Sequence, residues 1–346
     1  MPDLVEDIHA IAQAYRLRLI AREAVAEEAL IRAYGATWAR LEQDVTDIAQ
    51  DLQARFLEGE ELPAWKIREY ERARILLRQT EEEVGRIVAG HGATMERLQA
   101  EAVVLGRGAT MAMLARAGYQ DLVALPNTAL VGLVGRLQDG SPLRALLDEL
   151  GPDAAKQVER ALIAGVGRGI GPREVAREVR TALGGNMSRA LTISRTEVVG
   201  AYRRASAEQA QARHDLLAGW TWLAAVDSTD APCVVCLAMH GTWHTMNETL
   251  DSHPNCRCSA AYLPVDSMAD LGPTGEDWFE DQPDEVQRRL LGPTAHAAYL
   301  NGDVALKDFV QRVNDPRWGP GLRRCSNRDL GITPPPRVPA QHSGQG

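Results

Sequence analysis

Long apolar runs are missing from this sequence of 346 residues. No stretch of about eighteen consecutive apolar residues occurs, so we expect no membrane-spanning helix. A secretory signal is missing as well, because the first ten residues, MPDLVEDIHA, are acidic and have neither a basic start nor an apolar core. These two absences predict a chain that is made in a reducing cytoplasm.

Cysteine is scarce, with five residues in the whole chain, which excludes a disulfide-dense scaffold. Cys325 stands alone, and the other four fall within one short segment: Cys233, Cys236, Cys256 and Cys258. Such confinement in a cytoplasmic chain favours metal binding over disulfides.

Positive charge is also in short supply, since the net charge is −9, which argues against a protein dedicated to coating nucleic acid. The distribution is uneven. Residues 1–110 hold 14 basic and 20 acidic side chains, whereas residues 155–213 hold 11 basic and 5 acidic ones. The basic segment is a candidate for contact with the phosphates of double-stranded DNA without sequence preference, and solvated helix faces rich in arginine are the alternative. Four arginines near the C-terminus are further candidates: Arg323, Arg324, Arg328 and Arg337.

The first hundred residues read as long helices. Apolar residues recur at alternating steps of three and four along one seam: Ile31, Tyr34, Trp38, Leu41, Val45, Ile48 and Leu52. Pro63 interrupts this pattern, and a second helical stretch follows, so residues 1–110 are predicted to form an antiparallel helical hairpin or arm. The seam is either buried within the arm or binds a partner, in which case Tyr34, Trp38 and Leu41 are the candidate anchors.

The predicted fold class is mainly α with a small α+β module. Residues 111–215 form a helical middle domain, with one helix opened by Pro172 and stopped by Gly184 and Gly185, and a second helix over 186–213 capped by Asn186 or Ser188. Residues 216–315 contain a strand, a cysteine knuckle, a returning strand over 257–265 and further helices. Residues 316–346 are predicted to be a flexible tail.

The cysteine spacing suits a metal site. Cys233 and Cys236 form one C-x-x-C pair, and His253, Cys256 and Cys258 in the stretch HPNCRC offer the second pair with one ligand to spare. Zinc takes four tetrahedral ligands of these types from two short knuckles. His240 and His244, in the intervening loop, are weaker candidates.

Two other chemistries are alternatives for the same residues. A disulfide from Cys233 or Cys236 to Cys256 or Cys258 is possible once the chain meets an oxidising environment. Zinc deaminases carry P-C-x-x-C, but their H-x-E partner is absent, because His214 is followed by Asp215 and Leu216.

Several motifs in order resemble the phage Mu F-like head morphogenesis family. They are ISRTEVVGAYRRAS, WTWLAAVDSTDAPCVVCLAMHGT, HPNCRCSAAYLPV and the later segment from DWFEDQ to DFV, and together they cover about residues 160–312. The matching positions are Arg195, Glu197, Asp227, Cys233, Cys236, Gly241, His253, Cys256, Arg257 and Cys258. Pro232 departs from the family pattern, which usually has threonine before the first cysteine.

The resemblance implies a non-enzymatic minor head protein of a tailed bacteriophage. Such a protein would act in procapsid assembly at the portal vertex, with the portal protein and other capsid or scaffold proteins as partners, and it would lie inside the virion head. One structural zinc ion is the expected cofactor. ADP-ribosyl transfer is the enzymatic alternative, although the E-x-E dyad considered for it, Glu81 to Glu83, lies far upstream.

Overall fold

The computed structural model divides the chain into two compact units, each assembled from separated segments. Unit 1 comprises residues 1–13, 113–120 and 213–346, and unit 2 comprises residues 14–112 and 121–212. The structure describes residues 2–120, 122–126, 128–130, 142–226, 232–265, 267 and 271–333. The predicted arm and the predicted middle domain therefore share unit 2 for most of their length.

Helices dominate the described residues. They are α1 (Pro2–Leu57), α2 (Ala64–Glu69), α3 (Glu71–Arg116), α4 (Pro142–Asp148), α5 (Leu150–Gly167), α6 (Pro172–Gln211), α7 (Val234–Met239), α8 (Gly275–Glu280), α9 (Asp284–Leu291) and α10 (Pro293–Leu300). The strands are β1 (Leu217–Leu223), β2 (Trp243–Thr245), β3 (Ser259–Pro264), β4 (Val310–Asp315) and β5 (Gly319–Arg324). A mainly helical chain with a small antiparallel β module is what the sequence predicted. Among the described residues, no helix combines the length and the apolar character needed to cross a membrane.

The long helices α1 and α3 run antiparallel, as predicted. Arg22 pairs with Glu101 at 3.0 Å, and Arg40, further along α1, pairs with Glu83, which lies earlier in α3. The connection is sharply defined. Gly59 has φ +93°, and the amide of Glu60 bonds the carbonyl of Arg55 at 3.0 Å, which closes the C-terminus of α1.

Helix α6 corrects the sequence prediction. It begins at Pro172 as expected, but it continues through Gly184 and Gly185 to Gln211 as one helix. Asn186 and Ser188 are therefore interior residues of α6 and cap nothing. Glycine lowers helix propensity by only about 1 kcal/mol relative to alanine, and the burial of a long helix face outweighs that cost.

Unit 1 is built around a three-stranded antiparallel sheet in the order β2-β1-β3. The returning strand predicted near residues 257–265 is β3, and Thr221 of β1 faces Ala261 across the pair. The strands β1 and β3 do not form a simple hairpin, because α7 and β2 lie between them in the chain. Gly219 is required for the β1–β2 contact, since a Cβ there would lie 2.2 Å from the His244 carbonyl oxygen.

A second hairpin lies where the sequence predicted a flexible tail to begin. Strand β5 pairs with β4 from Val310–Arg324 to Asp315–Gly319, although residues 316–346 carry little apolar sequence. Its anchor is Leu322, which is buried, while Phe309 immediately before β4 is fully buried. The pairing with β4 and the burial of Leu322 thus extend the folded part of the chain past residue 315.

Candidate metal centre

The first knuckle is the start of α7. Cys233 is the N-cap of this helix, and its sulfur accepts a hydrogen bond from the amide of Cys236 at 3.4 Å. Because the C-x-x-C step spans one helical turn, the two sulfurs point to the same side, 3.4 Å apart. Cys233 is exposed, whereas Cys236 is buried.

The second knuckle is a turn that leads into β3. Asn255 adopts φ +68°, a left-handed conformation that asparagine tolerates well. This turn brings His253 back towards Cys256. Cys256 and Cys258 are both buried, and the amide of Cys258 donates to the sulfur of Cys256 at 3.4 Å.

The two knuckles converge. His253 Nε2 lies 3.1 Å from Cys233 Sγ and 3.2 Å from Cys236 Sγ, and the sulfurs of Cys236 and Cys256 are 3.6 Å apart. Two trios of mutually close donor atoms result, one of Cys233, Cys236 and His253, the other of Cys236, Cys256 and Cys258. Cys236 belongs to both trios. All five residues that the sequence singled out are therefore gathered at one place.

The imidazole of His253 is oriented by a carbonyl. Its Nδ1 donates to the backbone oxygen of Pro254 at 2.7 Å, so that Nε2 faces the sulfurs. Histidine ligands of metal sites commonly hold their second ring nitrogen in this way, because the bond fixes the tautomer and the ring direction.

Electrostatics favour the thiolate form of Cys233. Its hydrogen bond with Cys236 lowers the pKa of Cys233 to about 5, against the opposing effect of burial. Burial lowers the pKa of His253, but hydrogen bonds with the sulfurs of Cys233 and Cys256 outweigh this and raise it to about 11. The pKa of Cys236 lies well above its usual value, chiefly because of its hydrogen bonds with Cys233 and Cys256.

These donors fit a metal ion. Sulfurs about 2.3 Å from a tetrahedral ion lie roughly 3.8 Å from one another, close to the 3.4 and 3.6 Å separations found here. None of the five cysteines, all of which the structure describes, forms a disulfide. The cluster of Cys233, Cys236, His253, Cys256 and Cys258 can therefore hold a metal ion, with one donor more than a tetrahedral set requires.

Three further residues belong to the predicted resemblance but are not candidate metal ligands: Gly241, Arg257 and Asp227. Gly241 has φ +78°, and a Cβ there would lie 2.9 Å from the Pro273 carbonyl oxygen, so that glycine is required. Arg257 is half-buried between the two cysteines of its knuckle. Asp227 lies outside the described residues.

The R-T-E motif of α6 faces the N-terminal arm within unit 2. Arg195 forms a half-buried ion pair with Glu27 of α1, whose Oε1 lies 2.6 Å from Arg195 Nη2. Glu197 is buried, and desolvation raises its pKa while Arg204 opposes the shift. Glu27 was not singled out from the sequence, because 168 residues separate it from its partner and no local pattern links them.

The predicted partner-binding residues of the arm and the two weaker candidates for metal ligands make contacts within the chain instead. Tyr34, Trp38 and Leu41 are buried within unit 2, so they do not offer an exposed docking face. His240 accepts from the amide of Ala224, and His244 stacks on Trp220 with ring centroids 4.2 Å apart. Neither histidine belongs to a trio of metal-ligating side chains in the described part of the chain.

Glu83, from the E-x-E stretch on α3, is held in ion pairs. Glu83 binds Arg40 and also pairs with Arg86 at 2.9 Å. The hydrogen bond from Arg40 lowers the pKa of Glu83, against a smaller opposing effect of burial. Because Glu83 binds Arg40 of α1, its position favours a role in joining α1 to α3.

The family comparison addresses this same region. Residues 156–261 match the family model described as Phage Mu protein F like protein. This segment is phage Mu F-like. The match covers less than half of the chain and runs from α5 through α6 and both knuckles into β3. It stops before the DWFEDQ to DFV segment, which is the last part of the predicted resemblance. No curated protein and no solved structure matches the chain.

Proposed function

We propose that this chain is a non-enzymatic minor head protein of a tailed bacteriophage and that it acts in procapsid assembly at the portal vertex. The observation that carries the proposal is the Mu F-like match over residues 156–261. This segment contains the R-T-E helix and both cysteine knuckles, which are three of the four motifs behind the resemblance. The portal protein, other capsid or scaffold proteins, and double-stranded DNA are the proposed partners, within the virion head.

The role of the head protein is tested on particles. Deletion of the gene from an inducible prophage should abolish DNA-filled heads, and wild-type protein supplied in trans should restore them. Mass spectrometry of purified heads should then find the chain at low copy number. The proposal is contradicted if the deletion strain still makes normal DNA-filled heads. It is also contradicted if heads purified from the wild-type strain do not contain the chain.

The knuckles are proposed to hold one structural zinc ion. Zinc prefers thiolate and imidazole donors, and the cluster supplies both at suitable separations. The bound ion would neutralise thiolate charge and join α7 to the turn before β3. A three-stranded sheet with one strand of three residues gains stability from such a link.

Metal content is the first testable prediction. Protein purified under reducing conditions should contain about one zinc per chain by elemental analysis. Cys236→Ser should lose the metal, because Cys236 is shared by both trios, and residues 217–264 should become sensitive to limited proteolysis. Cys325→Ser is the matched control and should keep both the zinc and the wild-type cleavage pattern. Zinc-free wild-type protein with its clustered cysteines in disulfides would refute the metal assignment.

A further inference from the structure

The connection between α1 and α3 exposes large apolar side chains within ten residues of sequence. Phe56 and Leu57 end α1, and Trp65 lies in the short helix α2. Their exposed fractions are 46%, 78% and 55%. Isolated apolar residues are normal on protein surfaces, but a group that includes tryptophan marks an interaction site. We call residues 56–69 the arm tip.

The arm tip is held in shape by the rest of unit 2, so these exposures do not come from a loosely packed loop. The amides of Gly59 and Glu60 bond carbonyls at the end of α1, and Pro63 is the N-cap of α2. Ile67, two residues after Trp65, is buried, and Tyr70 donates a hydrogen bond to Asp51. The same short helix thus buries one apolar side chain and presents another to solvent.

The charges of the arm tip are one-sided. Each basic residue within 55–69 is paired within the chain: Arg55 with Asp51, Lys66 with Glu60 and Arg68 with Glu159. Three exposed carboxylates have no salt bridge in the described part of the chain: Glu58, Glu61 and Glu69. The available charge beside the apolar side chains is therefore negative.

Exposed apolar side chains beside carboxylates favour one kind of partner. Anionic lipid surfaces and DNA would be repelled by the carboxylates, and two arm tips of the same sign would repel each other. We infer that the arm tip docks into an apolar recess with a basic rim on a protein of the phage head. Trp65, Phe56 and Leu57 fill the recess, while Glu58 and Glu61 pair with arginine or lysine at its edge. The inference rests on the proposed head function and names the part of the chain that makes the contact.

The test uses the full-length chain and two purified proteins of the same phage genome, the portal protein and the major capsid protein. Binding is measured for wild type, for Leu57→Ser with Trp65→Ser, and for Val25→Ser, a control on α1 that removes an equally exposed apolar side chain away from the arm tip. We expect the double variant to weaken binding to one of the two proteins by about 30-fold or more, as for interface hot spots. Val25→Ser should bind like wild type. Circular dichroism should show equal helicity for all three chains.

Charge reversal gives an independent result. Glu58→Lys with Glu61→Lys should weaken the same interaction, and the loss should shrink as salt is raised. If wild type binds neither head protein, the proposed function itself fails. If wild type binds and the arm-tip variants bind equally well, the function stands and the docking inference is overturned. Arm-tip variants that instead lose self-association or binding to vesicles of anionic lipid would also overturn it.

Discussion

Buried polar side chains join the helices of unit 2 at points far apart in sequence. The hydroxyl of Tyr34 on α1 donates to Asn186 Oδ1 on α6 at 2.6 Å, and Asn186 Nδ2 donates to the Leu150 carbonyl at 3.0 Å. A second bond joins His91 of α3 to Ser194 of α6. Each bond has a specific geometry, so together they fix how α1, α3 and α6 align.

Tyr34→Phe tests the first of these bonds. The substitution removes the donor and leaves a buried amide oxygen without it, so we expect the free energy of unfolding to fall by about 1–3 kcal/mol. Urea denaturation followed by circular dichroism measures the change. In an Asn186→Ala background the acceptor is absent, and Tyr34→Phe should then cost much less. Equal costs in the two backgrounds would show that the bond contributes nothing.

His91 makes unit 2 sensitive to acid. The hydroxyl of Ser194 donates to the Ala190 carbonyl, so its oxygen accepts from Nε2–H of a neutral His91. Burial lowers the pKa of His91 to about 4, with Glu27 offsetting part of the effect. As pH falls from about 6.5 to about 4, the unfolded chain takes up a proton that the folded chain refuses, and stability is lost.

The corresponding prediction compares wild type with His91→Gln, which keeps a hydrogen-bond donor but does not titrate. Between about pH 7 and pH 5 the free energy of unfolding of wild type should fall by about 2 kcal/mol more than that of the variant. Urea denaturation at several pH values gives both curves. Other titrating groups contribute equally to the two proteins, so the difference isolates His91. Parallel curves would contradict the assignment.

At the scale of elements, glycines play opposite roles in α3 and α6. A Cβ at Gly184 or Gly185 would meet no atom within 4 Å, so these glycines weaken α6 without serving a packing need. At Gly106 a Cβ would lie 2.2 Å from the carbonyl oxygen of Tyr202. This glycine lets the backbones of α3 and α6 approach closely.

Alanine substitutions should therefore change stability in opposite directions. Gly184→Ala and Gly185→Ala should each stabilise the chain by up to about 1 kcal/mol, because alanine favours the helix. Gly106→Ala should destabilise it by about 1–3 kcal/mol, because the two helices must move apart. Thermal and urea unfolding measure all three. Destabilisation by Gly184→Ala would indicate that α6 is interrupted there, as the sequence alone suggested.

At the scale of the whole molecule, neither unit is a continuous stretch of chain. A cut between residues 110 and 111 removes from unit 2 its segment 121–212 and separates the parts of unit 1. Fragment 1–110 keeps α1 and most of α3 but loses α6, so Tyr34 and His91 lose their partners. A cut at this point therefore exposes surface that is buried in the intact chain, on both of the resulting fragments.

We accordingly expect fragment 1–110 to unfold with low cooperativity and to bind a hydrophobic dye, unlike the full-length chain. Urea denaturation and dye fluorescence test this directly. A fragment with a sharp two-state transition and no dye binding would contradict the division into units. For the same reason, partners are best mapped by point substitutions in the intact chain.

The sequence by itself determined the features that depend on near neighbours. Apolar residues at steps of three and four specify α1, Pro63 marks the break before α2, and Pro172 begins α6. The C-x-x-C and H-x-x-C-x-C steps could be recognised as one candidate site, because each knuckle positions its side chains through local backbone geometry. The sequences of the motifs also indicated the Mu F-like resemblance, which the match over residues 156–261 confirms for that segment.

Tertiary structure decided what depends on distant residues. The seam residue Tyr34 is buried because it meets Asn186, 152 positions later, and no local signal distinguishes that outcome from a docking face. Helix α6 continues through Gly184 because packing along its length outweighs a propensity cost of about 1 kcal/mol. In strand β5, Leu322 is buried and its amide bonds the carbonyl of the distant Ser252 at 3.4 Å. In each case the free energy of long-range burial and pairing exceeds the local preference that the sequence displays.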